Sequence, residues 1–354
     1  MLGLKRLSAD AIWLEVFPGT GNGKADAIAI RRFQAQVRAY GLARNYCLLY
    51  QSRASDSHDF GEMRCFGIGR RNLLDRLAGP TTLLNLSYSI HPPLLLQFDR
   101  RIFCDLDPSE IFYWMTKIEM GQSTHHEFWT IGLNAGAGDC KLPKSALGWK
   151  TFFPLVDTEL IKPHSKPRIM KFATIGQWYW GGAVEVEGNF PDLSKKYAFE
   201  KYLELPARVR NAHFELAMNI GADDPERARL SNRGWHLVDP HRVARTARCY
   251  RRYVATAGAE FTAIKGVDVS WRTGWLSDRA ATFLAMGRPV ITEDTGAARH
   301  LPGQNGFQFV SDLESATHAV REVIADWCLF SQSARKTALE VFDSTKNLRK
   351  ILQI

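Results

Sequence analysis

Residues 267–296 read VDVSWRTGWLSDRAATFLAMGRPVITEDTG. Val267 to Trp271 predicts a short strand, and Arg272-Thr273-Gly274-Trp275 a turn with a glycine at its tip. Ser277 suits a helix N-cap, because its hydroxyl can accept from an unpaired main-chain N–H of the first turn. Asp278 falls in that turn, where the helix dipole favours a carboxylate. Ala280, Ala281, Phe283 and Leu284 then give an apolar helical face. Gly287 and Pro289 mark the stop, Pro289 to Thr292 a second strand, and Glu293 to Gly296 a second polar loop. A strand–turn–helix–strand unit of this kind is a right-handed, parallel crossover. The loops at 272–277 and 293–296 then lie at the carboxyl ends of parallel strands, the rim where open α/β sheets bind ligands. A helix start flanked by Arg272 and Arg279 suits an anion such as a phosphate. Units like this also occur with no ligand.

Working outward, the second half alternates strand and helix, as a doubly wound sheet does. The predicted strands are 172–178, 213–220, 235–238 and 306–310. Lys195-Lys196 opens one helix, Asp224-Pro225 caps another, and Ser311 to Glu314 reads as a capping box for a helix reaching Trp327. A last helix is predicted over 331–342. Asp239-Pro240 begins a helix on which Arg242, Arg245, Arg248 and Arg252 share one face. That face is either solvated surface or a contact for a phosphate backbone. The first half starts β-loop-α-β: a strand over 11–17, the glycine loop 19–23, a helix over 25–43 and a strand over 46–50. The glycine loop is no Walker A motif, and a tight turn and a substrate cradle both fit it. Further strands are read at 81–86 and 101–104. Prolines 143, 154, 163 and 167 place a linker near 155–168. The predicted division is an N-terminal α/β domain over 1–160 and a C-terminal one over 161–354.

The chain has 354 residues, is 45% hydrophobic and carries a formal net charge of +9. It is long enough for two domains with a sizeable core. Residues 1–160 carry 18 Lys/Arg against 16 Asp/Glu and the remainder 28 against 21. The basic excess in the second half suits an anionic partner, a nucleotide or a nucleic acid. Six cysteines without CxxC spacing suggest neither zinc site nor disulfide framework, and a reducing compartment. The N-terminus lacks a signal-peptide core and no run is as long as a membrane span, so a cytoplasmic location is expected.

Asp105-Leu106-Asp107 is similar to the metal-binding DxD motif of one glycosyltransferase class. Pro108-Ser109-Glu110 directly after it reads as a helix start, so no metal is expected there. Asp105 and Asp107 still end a strand, where a carboxylate can act as general base. His125 and His126 are neighbours that point different ways and do not share one metal. One of them can face a cleft.

The second half also resembles the nucleotide-sugar-binding domain of GT-B glycosyltransferases. The resemblance rests on Ala259-Glu260-Phe261 with Lys265, Gly274-Trp275-Leu276-Ser277-Asp278-Arg279, Gly287-Arg288-Pro289-Val290 and Asp294-Thr295-Gly296. It is dense over 230–345 and thinner over 80–205, where Arg101 to Pro108 takes part. It implies two Rossmann-like domains facing each other across a cleft. It also implies transfer of a sugar from a nucleoside-diphosphate-sugar, a co-substrate, with no cofactor and no metal. Lys265, Arg272, Ser277, Arg279 and the main chain of 274–278, with Gly274, Trp275 and Asp278, would hold the diphosphate. Their charge would stabilise the departing nucleoside diphosphate. Asp278 would pair with Arg272 or Arg279 or touch a sugar hydroxyl. Asp294, Thr295 and Gly296 would meet the sugar. The first domain would bind the acceptor, with Asp107, Asp105 or His126 as base. Two glutamates that many retaining members place around this turn are replaced by Gly274 and Thr282, and Arg272 stands where plant-type inverting members have a histidine. Stereochemistry therefore does not carry over. The alternatives are an epimerase on the same fold, a transferase acting on a nucleic-acid base, and a nucleic-acid-binding protein.

Overall fold

Trp13–Pro18 (β1) and Tyr46–Gln51 (β2) pair in parallel, joined by the helix Gly23–Ala39. The glycine loop between β1 and that helix is anchored by buried Asp26. Thr20 donates its hydroxyl to Oδ1 at 2.7 Å, and Tyr50 donates to Oδ2 at 3.0 Å. Arg64–Gly67 (β3) adds antiparallel to β2. A second sheet holds Thr82–Leu86 (β4), Arg100–Asp105 (β5), Glu127–Thr130 (β6) and Lys150–Thr151 (β7), in the order β4-β5-β6-β7. β4, β5 and β6 run parallel.

The computed structural model describes residues 1–53, 55–303 and 306–354. They form two units. The first holds 1–106, 114–130 and 145–150, and the second holds 107–113, 131–144 and 151–354. Residues 107–113 and 131–144 thus pack with the second unit although they lie among first-unit segments in the chain.

The second unit is built on six parallel strands: Lys171–Gln177 (β8), His213–Asn219 (β9), Trp235–Leu237 (β10), Ala259–Phe261 (β11), Val290–Glu293 (β12) and Phe307–Val310 (β13). Their order is β10-β9-β8-β11-β12-β13. The sequence β8-β9-β10 grows to one side and β11-β12-β13 to the other, so the strand order reverses between β8 and β11. Alternation along the strands sorts side chains onto two faces. Phe172, Phe214, Trp235 and Phe261 pack with Phe199 and Tyr202 on one face. Ala173 and Ala217 lie on the other, where small side chains let the helices Ala247–Thr256 and Asp278–Ala285 approach closely.

The caps read from sequence form. Ser277 Oγ accepts from Ala280 N at 3.0 Å, and Asp224 and Asp239 accept from Glu226 N and His241 N at 2.9 Å each. Gly287 ends its helix at φ +69.

Four local expectations are corrected. Val267–Trp271 is no strand: Gly266–Ser270 is a helix, which buries Val267 and Trp271 one turn apart. A short apolar run does not distinguish the two by itself. The arginine helix is two helices, Pro240–Val243 and Ala247–Thr256, because Thr246 caps the second through Cys249 N at 3.1 Å. Arg242 and Arg245 therefore share no helical face with Arg248 and Arg252. The capping box is one residue later than read, formed by Asp312 and Ser315. The chain also ends in a further helix, Ser344–Leu352. Among the described residues no helix is long and apolar enough to cross a membrane.

Candidate donor site at the switch point of the six-stranded sheet

In an open parallel sheet the point where strand order reverses leaves a crevice beyond the carboxyl ends of the two central strands. Here those ends are Ile175-Gly176-Gln177 of β8 and Thr262-Ala263-Ile264 after β11. Two cations reach it. Lys195, first residue of the helix Lys195–Phe199, donates Nζ to Ala263 O at 2.6 Å and packs against Gly176. Arg279, in the first turn of Asp278–Ala285, donates Nη1 to Ile175 O at 2.8 Å and Nη2 to Thr262 Oγ1 at 3.2 Å. Its Nε pairs with Glu260, which is wholly buried within β11. The guanidinium is thus the joint between β8, β11 and the helix.

The charges at this point are strongly perturbed. Burial lowers the Lys195 pKa to about 7, and the neighbouring Arg279 adds to the shift. Burial also opposes charge on Arg279, but Glu260 outweighs it and the pKa rises. Glu293, ending β12, accepts from Ile264 N at 2.7 Å and pairs with Lys201.

Beside this crevice Lys265 lies among carboxylates. Its Nζ is 2.7 Å from Asp107 and 3.0 Å from Glu110, beneath the Trp180 ring at 5.3 Å. Trp180 Nε1 donates to Glu110 Oε1. Fully buried Asp268 accepts from Thr273 Oγ1 at 3.1 Å. Burial raises the Asp268 pKa to about 7, against the pull of Lys265. Burial raises that of Asp107 as well, again opposed by Lys265. The Lys265 pKa is raised, since Asp268, Asp107 and Glu110 overcome the burial that disfavours its charge.

The turn at 272–277 has the predicted shape and different bonding. Arg272 and Gly274 have φ +52 and +76. A side chain at Gly274 would meet Asn134 N at 2.7 Å, so glycine is required there. Two of the amides expected to cradle a phosphate are engaged within the protein. Gly274 N donates to Thr295 O at 2.9 Å and Trp275 N to Thr273 Oγ1 at 3.2 Å. Thr295 is fully buried, with its hydroxyl on Trp275 O at 2.8 Å, and does not reach out to a sugar. Asp294 Oδ1 accepts from Gly296 N at 2.8 Å and Ala298 N at 3.2 Å. Asn134 joins the two loops, its Nδ2 donating to Arg272 O at 2.8 Å and Gly296 O at 3.2 Å. Neither expected partner of Asp278 is found. Its side chain is exposed and accepts from the main-chain N of Arg279 at 2.8 Å, while Arg272 pairs with Asp139 at 3.0 Å.

Of the expected bases, Asp105 is fully buried under the Thr130 hydroxyl at 2.5 Å. His126 is exposed at the amino end of β6. Arg101 meets both its ring nitrogens, the main-chain N at 3.1 Å from Nδ1 and Nη2 at 2.7 Å from Nε2. That end of the strand is opposite to the one Asp105 occupies, so the two do not act together. Asp107 keeps a side chain 33% exposed while Lys265 holds it. Sequence reasoning missed Lys195, Glu260, Glu293, Glu110 and Asp268 as site residues. For Glu260 a signal existed, a carboxylate in the middle of an apolar strand. Lys195 follows a long irregular segment, and nothing in its neighbours marks it.

No known family profile matches the sequence, and no curated protein does. Solved structures do match. An α-glucosyltransferase in complex with UDP-glucose and DNA containing an abasic site superposes with TM-score 0.55 at 10% identity, covering 97% of this chain and 98% of that one. A sucrose-phosphate synthase from Thermosynechococcus elongatus gives 0.54 at 11%, covering 97% and 98%. A glycosyltransferase from Rickettsia africae ESF-5 gives 0.51 at 10%, covering 97% of each. The fold is that of the GT-B glycosyltransferases.

Removing Arg279 strands Glu260 in the middle of the sheet, and breaking a buried pair from one side costs about 3–5 kcal/mol. Arg279→Ala is expected to lose that much in urea denaturation, and Arg279→Met with Glu260→Gln to recover at least half of it. A loss below about 1 kcal/mol, the range of an exposed pair, would show that the pair does not hold the strands.

Proposed function

We propose that the protein is a glycosyltransferase that takes a sugar from a nucleoside-diphosphate-sugar and passes it to an acceptor. The observation carrying this reading is the pair of cations, Lys195 and Arg279, at the carboxyl ends of β8 and β11 where strand order reverses. A diphosphate there meets Lys195 directly, and the Arg279 guanidinium adds fixed positive charge behind it. Charge held in place before the reaction stabilises the departing nucleoside diphosphate without reorganisation, which is what this transfer requires. Arg272, Gly274 and Trp275, their amides bonded within the protein, then shape the rim, and Ser277 caps the first turn of Asp278–Ala285. Asp278 and Asp294, on the exposed side of that rim, face the sugar hydroxyls. The GT-B structures that this fold matches include one bound to UDP-glucose, which makes uridine nucleotides the first donors to try. The first unit binds the acceptor, and Asp107, oriented by Lys265 with its pKa raised by burial, is the general base.

The reaction is proposed to need no divalent cation, since fixed cations do the work a metal would. With a panel of nucleotide-sugars, one donor is expected to release nucleoside diphosphate, and to release it equally well in EDTA. Turnover abolished by EDTA and restored by manganese would refute the metal-free reading. A sugar recovered as its epimer, still on the nucleotide, would identify an epimerase instead.

Lys195 supplies a second test. A lysine of pKa about 7 is largely neutral above that pH until an anion arrives and draws a proton onto it. Binding of nucleoside diphosphate above pH 7 is therefore expected to take up protons, read from binding enthalpies in buffers of different ionisation enthalpy. The uptake should fade as pH falls below about 7 and vanish in Lys195→Met. Unchanged uptake in that variant would place the diphosphate elsewhere.

A nucleic-acid acceptor is the second reading, supported by the net charge of +9 and by exposed Arg242, Arg245, Arg248 and Arg252. Retention of DNA or RNA that weakens with salt, and with a shallower slope in Arg245→Gln and Arg248→Gln, is its expected signature. No retention at low salt would eliminate it.

A further inference from the structure

The amino ends of the same strands carry a second set of polar side chains that sugar transfer does not use. His213 opens β9 and Glu215 follows two residues later, so both project from one face of the sheet. His236 on β10 stands beside Glu215 in the parallel register and shares that face. One ligand atom from each of the three lies within 4.8 Å of the others. The two imidazole rings are 5.2 Å apart between centroids, inclined at 49°. Lys171 on β8, in register with His213, donates Nζ to Glu215 Oε1 at 2.8 Å and to Thr256 Oγ1 at 3.1 Å. β9 runs from His213 to Asn219, so this group is about 20 Å from the carboxyl-end crevice.

We propose that His213, Glu215 and His236 form a binding site for a divalent transition-metal ion, with zinc the best match. Two imidazole nitrogens and one carboxylate oxygen are a donor set that zinc takes readily, whereas magnesium and calcium select oxygen ligands. Bonds of about 2.0–2.2 Å to a tetrahedral ion bring its donor atoms to about 3.3 Å from one another. Both histidines are exposed, so rotation of their rings can close the gap without moving the sheet. Glu215 is buried, and Lys171 already orients it. One carboxylate oxygen serves the ion while the other stays with Lys171, the outer partner that ligating carboxylates commonly have. Three protein ligands leave a fourth position for water. The exposed His213 and His236 let the ion enter directly from solvent. Ligation would clamp β9 to the short strand β10.

The test uses the full chain stripped by chelator and dialysed. Zinc chloride titrated calorimetrically is expected to bind once per chain and to raise the melting temperature. His213→Ala and His236→Ala should each weaken binding by about tenfold or more and abolish the thermal shift. Because His236 is exposed, its variant is expected to keep the wild-type circular dichroism. Cobalt in place of zinc should show ligand-field bands without thiolate charge transfer, separating this site from the six cysteines. No uptake from a molar excess of zinc, uptake unchanged in folded His236→Ala, or a thiolate band from the bound cobalt would each overturn the proposal.

Discussion

The second unit depends on one ion pair. Glu260 sits inside β11 with no exposure to solvent, between Ala173 of β8 and Val290 of β12. An unpaired carboxylate there would cost several kcal/mol, and Arg279, joined by the Thr174 hydroxyl at 3.3 Å, supplies the pairing. The same guanidinium spans to Ile175 O at the end of β8 and to Thr262 after β11. A single planar, permanently charged group thereby fixes both central strands and the helix Asp278–Ala285. Lysine would not substitute, since its ammonium lacks the rigid fork that meets three partners in fixed directions. The crevice at the switch point is shaped by this pair before any ligand arrives.

Around that joint the charges fall into two zones with different chemistry. At the crevice, Lys195 and Arg279 stand at the strand ends, and burial first and Arg279 second lower the Lys195 pKa. Beside it, Asp107, Glu110 and Asp268 surround Lys265, so that cation is neutralised internally. Lys265 and Arg279 were expected to grip one anion from two sides, and each is held by its own carboxylates instead: Lys265 by Asp107 and Glu110, and Arg279 by Glu260. The loops at 272–277 and 294–296 have a third role. Asn134, Thr295 and the Gly274 amide knit them together, so the segment with the most family-like spelling is chiefly a brace.

Much of the fold was legible in the sequence, for physical reasons that act over a few residues. Strand and helix alternate because apolar residues recur with periods that only those backbones satisfy. Ser277, Asp224 and Asp239 cap helices through bonds to amides two or three residues on, and Gly274 and Gly287 occupy positive φ. The strands read at 289–292 and 306–310 form and pair in parallel as β12 and β13, whereas β11, only three residues at Ala259–Phe261, was not read. Val267 to Trp271 was misread because five residues with two valines and a tryptophan suit either backbone, and the choice fell to the burial of Val267 and Trp271 on one helical face. The arginine run was misread because Thr246 interrupts a pattern that spacing alone presents as continuous.

The sequence by itself determined the α/β class, the strand–helix alternation of the second unit and the turn before the helix on which Arg279 stands. Only the tertiary structure decided what Arg279 and Lys265 do there. Their partners are Glu260, nineteen residues before Arg279, and Asp107 and Glu110, more than 150 residues before Lys265. Lys195 reaches Ala263 across 68 residues of chain. Ion pairing and burial are set by distance in space, and local periodicity carries no information about which remote carboxylate a cation will meet. The register that brings His213, Glu215 and His236 onto one face is likewise a property of the assembled sheet, since nothing within β9 announces its neighbour on β10.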